Sequence, residues 1–448
     1  MEREDKIQIA AWLILLLLSS AKFLAFAQTD QLTLKRAIEL ARNQNRELKA
    51  DSLNIERAQQ QVRIIRSLFL PNARIDAQLQ HYFQRPAFFG FGISSSPDKI
   101  PYTRLGGDQQ ALAQASLVQP LYRPGVSAEL QKSKLEEQQS RLRYTLREVD
   151  VVAEVKRIYV RILVLKKRLK LQKESIARNQ KALEDSRSLL AQGRALRVDT
   201  LRAYTSIKNL EPEILRLQYA IEVSKQQLNV LTGEATDKNV TLTDSLVYNA
   251  AEPTPSESDA FNTSLTQRPD LRILSVNKWV SDKQISIARA ASKPSLNLIS
   301  QFQLPTQTND FKFANASYPG IFFAGAQLSI PIFSGFANSS RVRQAKIERR
   351  QADLVFQQAT ENLKTEVKQV LASIDETSKR IQTQLNVAEV AETSYSITKY
   401  RYSHGIASRL ELMDAELALT TAKSNYLEAV YDYQAAKIEL SRTLGKIE

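Results

Sequence analysis

The sequence predicts a mixed architecture, long α-helical hairpins joined to membrane β-structure, built twice over within 448 residues. Three observations predict it. A pattern in the first half of the chain returns in the second at a nearly constant offset. One stretch of about 70 residues lacks internal glycine and proline, long enough for a helical rod on the order of 100 Å. Four short segments alternate apolar with polar side chains, the period of a two-faced strand.

The duplication is read residue against residue. SLFLPNARIDAQLQ (67–80) answers RAASKPSLNLISQF (289–302), which sets Pro71 opposite Pro294. Gln119-Pro120-Leu121 answers Ile330-Pro331-Ile332, Gly193 answers Gly405, and Gly233 answers Gly445. The expected organisation is a signal peptide over 1–27, a first repeat over 28–233, a polar linker over 234–255 and a second repeat over 256–448.

The N-terminus carries IQIAAWLILLLLSS (7–20) and then Ala25-Phe26-Ala27, a small-x-small cleavage signal. The leading MEREDK departs from the usual positive n-region, with three acids against two bases. The apolar run is short for a bilayer span, and no other stretch approaches membrane-helix length. Entry into a membrane would therefore be as β-structure.

In the first repeat, Thr33 to Leu70 reads as helix with a loop near Asn43-Gln44-Asn45. A strand follows over 72–84, with Ile75, Ala77, Leu79, His81 and Phe83 on one face. Arg74, Asp76, Gln78, Gln80, Tyr82 and Gln84 lie on the other. Residues 85–108 read as a loop containing Phe88, Phe89 and Phe91, candidates for an outer-mouth gate, an interface anchor or loop packing. A return strand over 110–119 is expected to end at Pro120, and a helical hairpin over 123–232 to turn at Gly193. Pro212 should kink its second arm. The second repeat predicts one helix over 256–292, strands 295–304 and 321–330 around a loop at 305–319, and a hairpin over 336–445 turning at Gly405.

Four strands cannot close by themselves. A barrel needs about eight, and a hollow one more, so three chains giving twelve strands is the expected assembly. Pro71, Pro120, Pro294 and Pro331 mark the helix–strand junctions, where proline stops one architecture and admits the other. A soluble four-stranded sheet capping a coiled coil is the competing reading.

Composition excludes several classes. Cysteine is absent, so there is no disulfide, thiolate nucleophile or lipid-modified cysteine. His81 and His404 are the only histidines, too few and too far apart for a histidine metal site; no metal or cofactor is expected. No phosphate-binding loop, G-x-S-x-G or H-E-x-x-H motif occurs, and no catalytic residue is assigned. The net charge of +14 comes from bases interleaved with acids, as in KLEEQQSRLRYTLREVD, which reads as solvated helix rather than a nucleic-acid stripe.

The duplicated strand–proline–helix units, the pair VQPLYRPG and SIPIFSGF, and the helix ends LNVLTG and LSRTLG resemble the TolC-like outer-membrane efflux protein family over essentially the whole mature chain. The resemblance implies a homotrimer whose twelve-stranded barrel crosses the outer membrane of a Gram-negative bacterium and continues as a twelve-helix tunnel (an α-barrel) through the periplasm. It implies a periplasmic membrane-fusion adaptor, an inner-membrane pump of proton-driven or ABC type, outer-membrane lipid, and no nucleic acid as partners. Its function would be the exit duct of a tripartite efflux or type I secretion system. An exported coiled-coil spacer or adhesin stalk is the alternative, and a nucleic-acid-binding coiled coil a third.

Carried over by position, Asp199 matches an acid that links neighbouring helices. Glu411 and Asp414 match acids that ring the periplasmic entrance. The partner arginine of the family pattern is Ala407 here, with Arg409 as the nearby substitute. Ser408-x-x-Glu411 equally reads as a helix capping box. Gly193, Arg194, Ala195 and Leu196, with Gly405, Ile406 and Ala407, are the candidate adaptor contacts, and both glycines also suit left-handed C-caps. His404 reads as a surface histidine or a pH sensor.

Overall fold

The computed structural model describes residues 30–90, 100–246 and 253–446. The expected signal peptide over 1–27, Phe91 and the middle of the 234–255 linker lie outside the described residues. The elements, in order, are β1 (Asp30–Leu32), α1 (Leu34–Gln44), α2 (Arg46–Ser67), β2 (Asn72–His81), β3 (Ala87–Phe89), β4 (Tyr102–Arg104) and β5 (Gln109–Tyr122). Then come α3 (Val126–Ala191), α4 (Arg197–Thr232), β6 (Val240–Leu242), α5 (Glu257–Gln267), α6 (Pro269–Ala290), β7 (Ser295–Thr308), β8 (Ile321–Ser329), α7 (Ala337–Ser403) and α8 (Arg409–Thr443). The chain divides into two compact units. One combines Leu142–Arg272 with the segments up to Ser52 and from Ala359; the other combines Leu53–Arg141 with Ile273–Gln358.

In the helical unit, α1 starts at Thr33, whose hydroxyl accepts the Arg36 amide. Asn45 separates α1 from α2: its Oδ1 accepts the amides of Glu47 and Leu48 at 2.9 and 3.1 Å, and its Nδ2 donates to the Leu231 carbonyl at 2.9 Å. The matching break falls at Arg268, where a single helix over 256–292 was expected. Pro269 forces the preceding residue out of helical geometry, and Arg268 is extended at φ −61°, ψ 123°. A glycine at the end of each hairpin packs against these breaks. A Cβ on Gly233 would meet the Gln44 carbonyl at 2.5 Å, and one on Gly445 would meet Arg268 backbone at 3.1 Å. Both hold left-handed φ, 75° and 71°.

The core of this unit gathers Leu48, Val155, Tyr159, Ile162 and Leu228 with Leu32, Val240 and Leu242. The last three belong to β1 and β6, a parallel pair whose second strand lies within the expected polar linker. The Tyr159 hydroxyl lies 2.8 Å from both the Leu32 carbonyl and the Asp244 carboxylate, and Asp244 accepts the Leu34 amide at 2.8 Å. Pro212 lies inside α4, which continues on both sides of it.

The second unit holds a four-stranded sheet ordered β2–β5–β7–β8, antiparallel throughout. β2 ends at His81, short of the expected residue 84, and β8 at Ser329. Pro120, read as the end of one strand, lies within it, and Pro305 lies within another that was expected to end at residue 304. β5 continues through Pro120 to Tyr122, and β7 through Pro305 to Thr308. Each proline sits past the end of one neighbour, since β2 pairing stops at Val118 and β8 pairing at Gln303. A missing amide there breaks no ladder on that side. Pro71, Pro294 and Pro331 do lie between elements. Within the expected loop 85–108, β3 and β4 form a small antiparallel pair, with Phe89 and Tyr102 rings 5.8 Å apart.

Candidate functional site

Register sorts the sheet into two faces, because directly paired residues point the same way. Ala73, Ile75, Ala77 and Leu79 of β2 pair with Leu117, Ala115, Ala113 and Ala111 of β5. Ala113 and Ala115 pair onward with Leu304 and Phe302, and Phe302 with Phe322. Ile75, Ala115, Phe302 and Phe322 thus form an apolar row from edge to edge, on a face whose polar members include Ser300 and Thr306. On the other face Asp76, Gln114 and Gln303 form one row, and Gln80, Gln110 and Gln307 another. Gln114 Nε2 donates to Asp76 Oδ2 at 3.3 Å, and Gln301 Nε2 to Gln114 Oε1 at 2.9 Å.

Among the described residues nothing covers the apolar face. Every residue of β2 and β8 is exposed, and Ile75 is 82% exposed. Among the described residues both strands have a neighbour on one side alone. An apolar face with two open edges is a template for further strands and unsuited to water. Beyond β8, Ile332, Phe333 and Phe336 are exposed as well, with Phe336 at φ 63°. Among the described residues no helix is long and apolar enough to cross a membrane.

The two helical tips share a turn. Gly193 and Gly405 hold φ of 70° and 73°, with open space where a Cβ would stand. Arg194 donates its amide to the Leu189 carbonyl at 2.8 Å, and Ile406 to the Arg401 carbonyl at 2.9 Å, the six-residue closure of a Schellman motif. Gly193, Arg194, Leu196, Gly405 and Ile406 are exposed, Ala195 and Ala407 half-buried. His404 is exposed, its ring packed on Tyr400 at 4.1 Å.

The acids differ in their engagement. Glu411 closes the capping box: Ser408 Oγ accepts the Glu411 amide at 3.2 Å, and Glu411 Oε1 accepts the Ser408 amide at 3.2 Å. That backbone bond, with the Ser408 hydroxyl and Arg401, holds its carboxyl below the usual range. Asp199, half-buried in the first turn of α4, and exposed Asp414 have no side-chain partner among the described residues. Arg409 does not meet Asp199. It is 4% exposed and turns instead into a buried polar cluster.

The signature of the outer membrane efflux protein family matches residues 37–234 and 260–446. The chain belongs to that family. Membership confirms the resemblance read from the repeats and sets the outer membrane as the protein's location. Cation efflux system protein CusC of Escherichia coli (strain K12) is 28% identical over 181 residues, 40% of this chain and 39% of CusC. The match thus spans about two fifths of that relative's length. Outer membrane protein OprJ of Pseudomonas aeruginosa is 24% identical over 430 residues, 92% of this chain and 84% of OprJ. The crystal structure of the outer membrane protein VceC from Vibrio cholerae superposes with a TM-score of 0.75 at 16% identity, covering 93% of this chain and 97% of that one.

The buried cluster is what sequence reading missed. Glu416, 4% exposed, accepts at Oε1 from Ser175 Oγ (3.2 Å), Arg178 Nε (3.2 Å) and Asn179 Nδ2 (2.8 Å). Burial pushes its carboxyl up, against the pull of Arg178. The cluster ties α3 to α8. A signal was present: Arg409, Leu412, Glu416 and Leu419 are buried at heptad spacing, so two charges stand on an otherwise apolar seam.

Proposed function

We propose that three copies of this chain form the outer-membrane exit duct of a tripartite efflux or type I secretion system. The observation that carries this reading is the sheet: one face apolar, one glutamine-rich, both edges unpaired. Lipid does not tolerate open edges, so closure by other copies is required, and twelve strands leave a hollow barrel. An even number of antiparallel strands per chain lets β8 of one copy meet β2 of the next, still antiparallel. The apolar face then meets lipid and the glutamines line the lumen.

The helices support the same assembly. Leu201, Leu215 and Tyr219 on α4, and Leu354, Val390 and Ile397 on α7, are exposed on single chains and would be covered by neighbouring copies to complete a helical tunnel. At its entrance Asp414, free of other partners, supplies a ring of three carboxylates that favours cations. Glu411 contributes charge there while capping its own helix, and Asp199 supplies the second acid. Gly193, Arg194, Ala195 and Leu196, with Gly405, Ile406 and Ala407, form the surface for a periplasmic adaptor. The duct is passive, and an inner-membrane pump sets its cargo.

Planar-bilayer recording tests the reading. Purified protein should give small cation-preferring currents that rise severalfold when Asp199→Ala and Asp414→Ala are combined. Absence of conductance from both proteins would refute a duct and leave the stalk.

A further inference from the structure

Beside the buried cluster lies a cavity of about 690 Å³, lined by the end of α3, the end of α7 and the start of α8. Arg409 lines it, and its Nε and Nη1 have no hydrogen-bond partner. Its Nη2 has a 3.5 Å contact with Asn179 Oδ1. Glu416, the nearby counter-charge, directs Oε1 to Ser175, Arg178 and Asn179 instead. Buried cationic donors without acceptors are costly, and a carboxylate is the acceptor that best offsets a guanidinium, through charge as well as hydrogen bonding.

The rest of the wall defines the remainder of the ligand. Arg178, Lys181, Lys399 and Arg409 outnumber Asp185 and Glu416, so the cavity favours an anion. Leu189, Leu412 and Tyr395 add apolar surface that an inorganic ion would leave wet. We propose that this cavity binds a small amphipathic carboxylate, its head on the under-partnered guanidinium of Arg409 and its body against Leu412, Leu189 and Tyr395. The site stands apart from the duct reading, because binding here does not depend on whether the chain conducts.

Calorimetric titration of the detergent-purified full chain tests it, with 4-phenylbutyrate as probe and its neutral twin 4-phenylbutanamide as control. The acid should saturate at one site per chain and bind at least tenfold tighter than the amide. Arg409→Gln should reduce the acid to the amide's affinity, and Lys399→Gln at the exposed rim should weaken it about threefold. Equal affinity of acid and amide, acid binding unchanged in Arg409→Gln, or no saturable binding would overturn the proposal. Should Arg409→Gln fail to fold, the acid–amide comparison on the unsubstituted chain decides alone.

Discussion

The two helical tips carry the same turn but begin their return helices differently. Both pivot on a left-handed glycine closed by the same pair of backbone bonds. At the second tip Ser408 and Glu411 satisfy each other's amides in a capping box. At the first tip the N-cap is Leu196, which offers no side-chain bond and is 68% exposed. The duplication therefore preserved the turn and let the cap diverge. One tip is sealed by its own polar groups, while the other presents an apolar residue and uncapped amides to whatever docks there.

Substitutions can break this contrast, beginning with the second tip's anchor. Glu416→Ala leaves buried Arg409 and half-buried Arg178 without a counter-charge, and removing one partner of a buried pair costs about 3 kcal/mol or more. A clear drop in the thermal midpoint by circular dichroism is expected, and an unchanged midpoint would show that the cluster does not hold the tip. The turns come next. Gly193→Val and Gly405→Val each force a branched residue into left-handed geometry, costing about 1–2 kcal/mol, and the two losses should match because the turns match. Unequal losses would break the equivalence.

The caps follow. Ser408→Ala should lose about 1 kcal/mol, whereas Leu196→Ser should gain up to a similar amount by adding the missing cap. If Leu196 is an adaptor contact, the same Leu196→Ser protein, though more stable, should bind adaptor more weakly in a pull-down. The smallest effect is in pH. The Glu411 carboxyl is held low by the Ser408 amide, so its stabilisation is present above the unfolded value of ~4.3 and is lost as pH falls through the lower folded value. Glu416 has the opposite sign: burial raises its carboxyl, so the cost of charging it fades as pH falls through the raised folded value and is gone below the unfolded one. Acid melts of Glu411→Gln and Glu416→Gln should therefore deviate from the parent in opposite directions.

Most of the fold was legible because repeated elements support one another. Gly193 alone is a turn; Gly193 with Gly405 is an architecture. Strand ends were less legible, since Pro120 reads as a stop and residues 305–319 as loop, while the ladder tolerates Pro120 and Pro305 wherever one neighbour has already ended. The break at Arg268 was written in the following proline and went unread because Asn45 marks its counterpart with different chemistry. Arg409 was assigned to Asp199 from chain proximity, and helical phase sends it elsewhere, onto the seam with Glu416. Sequence spacing gave the stripe; which helix that stripe faces is a property of packing.

The account rests on closure of the sheet by other copies, and the absence of cysteine makes that directly measurable. One cysteine placed along β2 on the apolar face (Ala77→Cys) and one scanned along the same face of β8 (Phe322→Cys, Ala324→Cys, Ala326→Cys) report edge-to-edge contact on a non-reducing gel. At least one register is expected to give a covalent ladder ending at three chains. Folded protein that yields monomer at every register, or that stays monodisperse and monomeric without detergent, would contradict it.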